Sequence, residues 1–386
     1  MLTWREVLEA EETDDSRQVG RMCPDIPVYR QGRALVLDLK GGSYRILSSG
    51  FTNGGYVEDP LALMNISGVG GKPEYSCMMG GLDEFDESVY RYVDKLGYDP
   101  GRTVCMSTAA HMDNAIITEV RSPEGIMVSS AITAGIRHNG GRPGDPTTYD
   151  EAAGQKDSTS GTIIIMISVD ADLSERAMFS ALLMATEAKS CVVEELQARS
   201  LYTPNIATGS GTDQVAVVSN KNSANKIDEL DRDSGLSRAI AECIRKGLVT
   251  ALDKQSGMNT ELQSDVMTVL SRYGLVQDTI REEMRFPATM EELMGALDQV
   301  RSDKYLSAMA MAVLHIQDDV RNDIISEKEG LEIAKTICRE AVLKGRLNKV
   351  EALRVDSSEN IPELVSYVSA VRLLRAVEER RCSDGQ

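Results

Sequence analysis

"TIIIMISVDADLSERAMFSALLMATEAKSCVVEELQA", Thr162 to Ala198, sets an unbroken apolar run directly before a long segment of helical period. Thr162–Ser168 shows no alternation of apolar and polar residues, which marks a strand covered on both faces. From Leu173 the period changes. Leu173, Ala177, Ala181, Ala185, Ala188 and Val192 form one stripe, while Phe179, Leu183, Met184 and Val193 fall on other faces. A helix apolar nearly all round is expected to be buried. Asp172 followed by Glu175 reads as its capping-box-like start. A doubly covered strand feeding a buried helix predicts an α/β (or α+β) fold, with a mixed sheet covered by helices.

The rest of the first half agrees. Strands are expected at 102–107, 115–120, 126–133 and 214–219, and a second helix from about Leu236 to Lys254. Arg121–Gly125 has tight-turn composition between two of these strands. Lys40-Gly41-Gly42, flanked by β-rich runs, reads as a hairpin. After about residue 257 the pattern is helix upon helix: 260–273, 289–300, 302–323, 327–345 and 360–381, punctuated by Pro287 and "DSSENIP". The expected domains are 1–256, carrying the sheet, and 257–386, an all-helical bundle.

Composition narrows the function. The chain has 386 residues and a net charge of -18. Such an acidic surface argues against nucleic acid and anionic membrane as partners. Neither a secretory h-region nor a membrane-length apolar run is present, so a cytoplasmic protein is expected. The seven cysteines are scattered singly, without CxxC, as reduced thiols would be. No HExxH or other ligand spacing marks a metal, and no cofactor is expected. "SGVGGKPEY" (67–75) lacks the spacing of a phosphate loop. No GxSxG elbow marks a nucleophilic serine.

Four segments carry polar groups beyond what turns require. "STAAHMDNAIITEV" holds His111 and Asn114. "TAGIRHNGGRPGDP" holds His138, Asn139 and Arg142. "TEAKS" holds Glu187 and Lys189 on the helix. "NIATGSGTDQVAVV" (205–218) sets Thr208, Ser210, Thr212 and Asp213 around Gly209 and Gly211. All four lie in the first half, so one site built from several loops is expected. Each also has a plainer reading: His111 as a cap, His138 as a ligand contact, His315 as a structural residue of the bundle, and the second segment as a surface loop. Glu187 and Lys189 are two apart, so a helix points them to nearly opposite faces and they cannot pair with each other.

In their order and spacing, "TAGIRHNGGRPGDP", "GTIIIMIS", "ATEAKS" and "ATGSGTD" resemble the adenosylcobinamide amidohydrolase family, over roughly residues 30 to 255. Family members usually show Thr where this chain has Ser190 and Ser210, so the hydroxyls persist. The resemblance implies a corrinoid substrate that brings its own cobalt. It also implies hydrolysis of the amide joining aminopropanol to the corrin ring, giving adenosylcobyric acid and 1-amino-2-propanol. The helical half lies outside it and is where a second copy or a protein partner is expected to attach.

Amide hydrolysis needs an activated nucleophile, donors for the oxyanion and an acid for the leaving amine. Glu187, if desolvated, would activate water or protonate the amine. Asp213 would hold the loop or orient a base, and Lys189 or His111 would stabilise charge. Asn114, His138, Asn139, Arg142, Thr208, Gly209, Ser210, Gly211 and Thr212 would bind substrate, the glycines offering unobstructed backbone N–H groups. Water attack assisted by a carboxylate is preferred to a covalent route. The rival functions are a corrinoid-binding module without turnover and an amidohydrolase of another amide.

Overall fold

The computed structural model describes residues 3–10, 15–68, 82–146, 161–275, 289–343 and 355–384. It divides into two compact units, Met1–Asn259 and Thr260–Gln386.

Two sheets form the first unit. The first contains β1 (Ser16–Met22), β2 (Ile26–Gln31), β3 (Ala34–Asp38), β6 (Ala62–Ser67) and β7 (Thr103–Thr108), in that order. The second runs β5 (Gly55–Glu58), β4 (Tyr44–Ser48), β14 (Gln214–Asn220), β11 (Thr162–Val169), β9 (Met127–Gly135) and β8 (Ile116–Arg121). Both are mixed: β6 and β7 are parallel, as are β11 and β14, and their other neighbours are antiparallel.

Strand alternation explains the layers. Leu35, Leu37, Leu63, Val104 and Met106 of the first sheet share one core with Ile164, Met166, Ala216 and Val218 of the second. The opposite residues of the first sheet, Ala34, Val36, Met64 and Cys105, pack against α1 (Trp4–Glu9) and α2 (Leu82–Lys95). Ile163, Ile165, Ile167, Val215 and Val217 pack against α3 (Glu175–Glu195) and α4 (Gly235–Ser256). The architecture is helix, sheet, sheet, helix. Both faces of β11 are therefore dry, which is why its sequence does not alternate. Burying each Leu or Ile side chain contributes about 1.5–3 kcal/mol.

Three expectations are corrected here. Lys40-Gly41-Gly42 does not close a hairpin. β3 is paired on both edges, by β2 and β6, so the chain crosses at residues 39–43 to the other sheet, where β4 pairs with β14 and β5. Gly42 is needed at the crossing because a Cβ there would meet the Tyr44 ring. The cap of α3 is Ser174, whose hydroxyl accepts from the Ala177 N–H, not Asp172. Asp172 lies in a short strand, β12 (Asp172–Leu173), and its carboxylate takes Arg45 at 2.6 Å. Finally, α3 is not buried all round. Its expected stripe from Ala177 to Val192 is buried, but Phe179 and Leu183 are 59% and 63% exposed. One sheet face and the neighbouring α4 cover only part of a helix's circumference.

The second unit is helical: Thr260–Gln263, Val266–Ser271, Met290–Arg301, Lys304–Arg321, Glu327–Leu343 and Ile361–Asp384. Leu293, Leu297, Val313, Leu314, Leu364 and Val368 share its core. Thr289 and Glu292 form a capping box at one helix start, and Asp303 caps the next. Pro287 lies outside the described residues, as does "SGVGGKPEY" beyond Gly68. Among the described residues, no helix is long and apolar enough to cross a membrane.

Candidate active site

Lys189 projects from the sheet-facing side of α3. Its ammonium meets the Asp213 carboxylate at 2.5 Å, and the two side chains are only 10% and 8% exposed. Burying such a pair is tolerable only when the remaining lone pairs are satisfied. They are. Asp213 Oδ1 accepts from the Ile163 N–H at 2.9 Å and the Ser210 hydroxyl at 2.7 Å, while Oδ2 accepts from the Ser210 N–H at 2.9 Å. The carboxylate thus fixes three elements: α3, the start of β11 and its own loop. Gly209 lets them close, since a Cβ there would overlap the carboxylate and sit 2.5 Å from Lys189 Nζ.

The three hydroxyls of the loop differ. Ser210 is committed to Asp213. The Thr212 hydroxyl donates to the Gly161 carbonyl at 3.1 Å and lies 3.0 Å from Thr162 Oγ1, while Thr162 Oγ1 donates to the Thr212 carbonyl at 2.6 Å. The Thr208 hydroxyl makes no hydrogen bond among the described residues, although its N–H is held by the Gly141 carbonyl at 2.9 Å. Of the three, only Thr208 has a hydroxyl left over for a ligand.

Neighbouring loops are tied to this one. β10 (Gly140–Gly141) pairs antiparallel with β13 (Gly209–Ser210). Asn139 is buried and its amide donates to the same Gly161 carbonyl that Thr212 uses. Asp145 collects the Arg142 N–H at 2.8 Å, the Ser200 hydroxyl at 2.7 Å and the Thr203 hydroxyl at 2.6 Å. Burial alone would raise its pKa. The hydrogen bonds from Thr203, Ser200 and the Arg142 N–H outweigh that and hold it below the usual carboxylate value. His138 and Arg142 are exposed on this loop.

His111 caps, and Asn114 ends, a single turn, Met112–Asn114, that follows β7. Gln255, in the last turn of α4, accepts from the His111 N–H at 3.1 Å and the Asn114 amide at 2.7 Å. The Asp113 carboxylate meets Arg17 at 2.7 Å and Arg30 at 3.6 Å, and its carbonyl accepts from Lys254 at 2.6 Å. Arg17 and Arg30 are cross-strand partners, so one carboxylate offsets a like-charge pairing.

Two contacts carry this turn toward the Asp213 loop. Gln255 packs on Gly135, the cross-strand partner of Thr162. Gln214, 1% exposed, uses its side-chain amide as a short piece of strand: it donates to the Ser107 carbonyl at 2.9 Å and accepts from the Ser107 N–H at 3.3 Å. Asp145 stood in view in "TAGIRHNGGRPGDP", although its partners Ser200 and Thr203 did not; Gln214 and Gln255 were not legible as site residues, because each binds groups contributed by segments distant in sequence.

Glu187 is corrected. It is exposed on α3, about 200° around the helix from Lys189. The desolvation expected of it is absent because that face of α3 is uncovered. The structure brings together Lys189, Asp213, Thr208 to Thr212 and Asn139, and ties His111 and Asn114 to the same end of the sheets through Gln214 and Gln255. It does not bring Glu187 to them. Among the described residues, no three His, Cys, Asp or Glu side chains cluster as metal ligands.

An uncharacterized protein of Methanocaldococcus jannaschii is 30% identical over 190 residues, covering 44% of this chain and 73% of its own. A crystal structure of a Pyrococcus horikoshii OT3 protein aligns over 62% of this chain and 82% of its own, at 11% identity. Its TM-score of 0.29 is too low to carry an argument. The adenosylcobinamide amidohydrolase model matches residues 23–260, which take in every strand of both sheets except β1, together with the loops that carry the site. The chain belongs to the adenosylcobinamide amidohydrolase family.

Proposed function

We propose that the protein hydrolyses the amide joining aminopropanol to the corrin ring of adenosylcobinamide, in corrinoid salvage. The observation that carries this reading is the match over residues 23–260, which includes the loop closed by the buried Lys189–Asp213 pair. Water adds to the amide carbon, the C–N bond breaks, and the products are a carboxylate and a protonated 1-amino-2-propanol. Both protons of the water end on the amine, so the step balances with no oxidant or reductant. The corrin's cobalt belongs to the substrate.

Asp213 has no acceptor capacity to spare, which suits a residue that fixes the loop and not one that moves protons. The Thr208 hydroxyl, without a hydrogen bond among the described residues, would bind a corrin side-chain amide or the scissile group. Incubation of the full chain with adenosylcobinamide in H2(18)O tests the reading. The expected products are adenosylcobyric acid with one 18O in its new carboxylate and an equal amount of aminopropanol. Tight binding without products would instead make the protein a corrinoid-binding module. Neither binding nor products would overturn both.

A further inference from the structure

His111 presents its imidazole edge in one defined way. Its Nδ1 accepts from the Asp113 N–H at 3.2 Å, capping the Met112–Asn114 turn. A nitrogen that accepts must carry its lone pair, so the proton of the neutral ring lies on Nε2. The side chain is 34% exposed, and among the described residues Nε2 makes no hydrogen bond. Asp113 Oδ2 lies 3.4 Å from Nδ1. If the ring gains a second proton, Nδ1–H has that oxygen to donate to, and Nε2–H is kept. The imidazole therefore offers a donor at Nε2 in both charge states. It offers a lone pair there in neither.

The turn that holds the ring is pinned from all sides. Arg17 and Arg30 hold the Asp113 carboxylate, Lys254 holds its carbonyl, and Gln255 holds the His111 N–H and the Asn114 amide. Arg137, just after β9, donates to the Ser256 carbonyl at the end of α4. Among the described residues, none of these charged groups bonds to Nε2. Turning the ring to expose a lone pair would break the cap.

We propose that His111 acts as a hydrogen-bond donor through Nε2–H to the oxygen of the substrate's scissile amide, and not as a general base. The proposal rests on the amidohydrolase reading for its substrate, but its tautomer does not. The chain contains three histidines, 111, 138 and 315, so long-range ¹H–¹⁵N correlation spectra of the free protein resolve the ring, with His111→Gln as the assignment control. The expected pattern is protonated Nε2 and bare Nδ1. A ring protonated only on Nδ1 overturns the proposal whether or not cobinamide is hydrolysed.

Turnover provides the second arm. His111→Ala should lose about 10²–10³-fold in kcat, the scale for removing one oxyanion donor. His111→Gln, whose amide N–H replaces Nε2–H, should recover all but about tenfold, against the scale for that donor. Wild-type turnover in a folded His111→Ala, or an acid limb that His111→Gln abolishes, contradicts a donor. If no variant turns over cobinamide, the amidohydrolase reading fails, and the tautomer still stands or falls on the spectra.

Discussion

Lys189 and Asp213 are buried together, so removing either side chain leaves the other without its charge partner. Lys189→Met keeps most of the volume but leaves the Asp213 carboxylate buried and unpaired, which costs about 3–5 kcal/mol. We expect that loss in urea unfolding. We also expect Lys189→Met combined with Asp213→Asn to recover part of it, a coupling that a double-mutant cycle reads directly. Glu187→Gln should be near neutral for both stability and turnover, because its side chain is in water on the far side of α3. A hundredfold loss in turnover would return Glu187 to the site. Both residues were visible in "TEAKS", and their opposite directions followed from the helical period. What the period could not show is how much of the helix is covered, and that decided which of the two is buried.

Elements set the loops against one another. Asp145 clasps the 137–146 loop to Ser200 and Thr203, and its pKa is held below the unfolded value. A depressed carboxylate contributes stability that is present above its unfolded pKa, about 4, and is lost as pH falls through the folded value. Asp145→Asn should therefore cost about 1–2 kcal/mol near neutral pH, with the gap to wild type closing below about pH 4. Thermal melts at both pH values check this, and a gap that widens in acid contradicts the sign. The strands at 103–108, 116–121, 127–135, 162–169 and 214–220 were close to where apolar runs placed them. β1, β2, β5 and β6 were not foreseen. β1, "SRQVGRM", is a largely exposed edge with few apolar residues, and β6, "ALMNIS", lacks β-branched residues except Ile66. The supposed hairpin failed for a different reason: a glycine turn shows that the chain reverses, but not which sheet receives it.

Each unit of the molecule has its own core, and that governs the thiols. Cys23, Cys105, Cys243 and Cys338 are buried, while Cys191 and Cys382 are exposed. Burial pushes the Cys23 thiol up to about 11 and Cys338 to about 12, and raises Cys105 and Cys243 as well. Alkylation of the native protein at neutral pH, mapped by mass spectrometry, should label 191 and 382 and spare those four. Fast labelling of Cys338 would show that the helical unit opens. We propose that the loop fixed by the buried pair is where the corrinoid amide is cleaved. The most direct measurement is the initial rate of 1-amino-2-propanol release from adenosylcobinamide by Gly209→Ala beside wild type, with melting followed in parallel. A Cβ at Gly209 forces Lys189 and Asp213 apart, so release should fall at least about 10²-fold, the cost of losing positioned polar groups, while the protein remains folded. Wild-type release by a folded Gly209→Ala would contradict the claim.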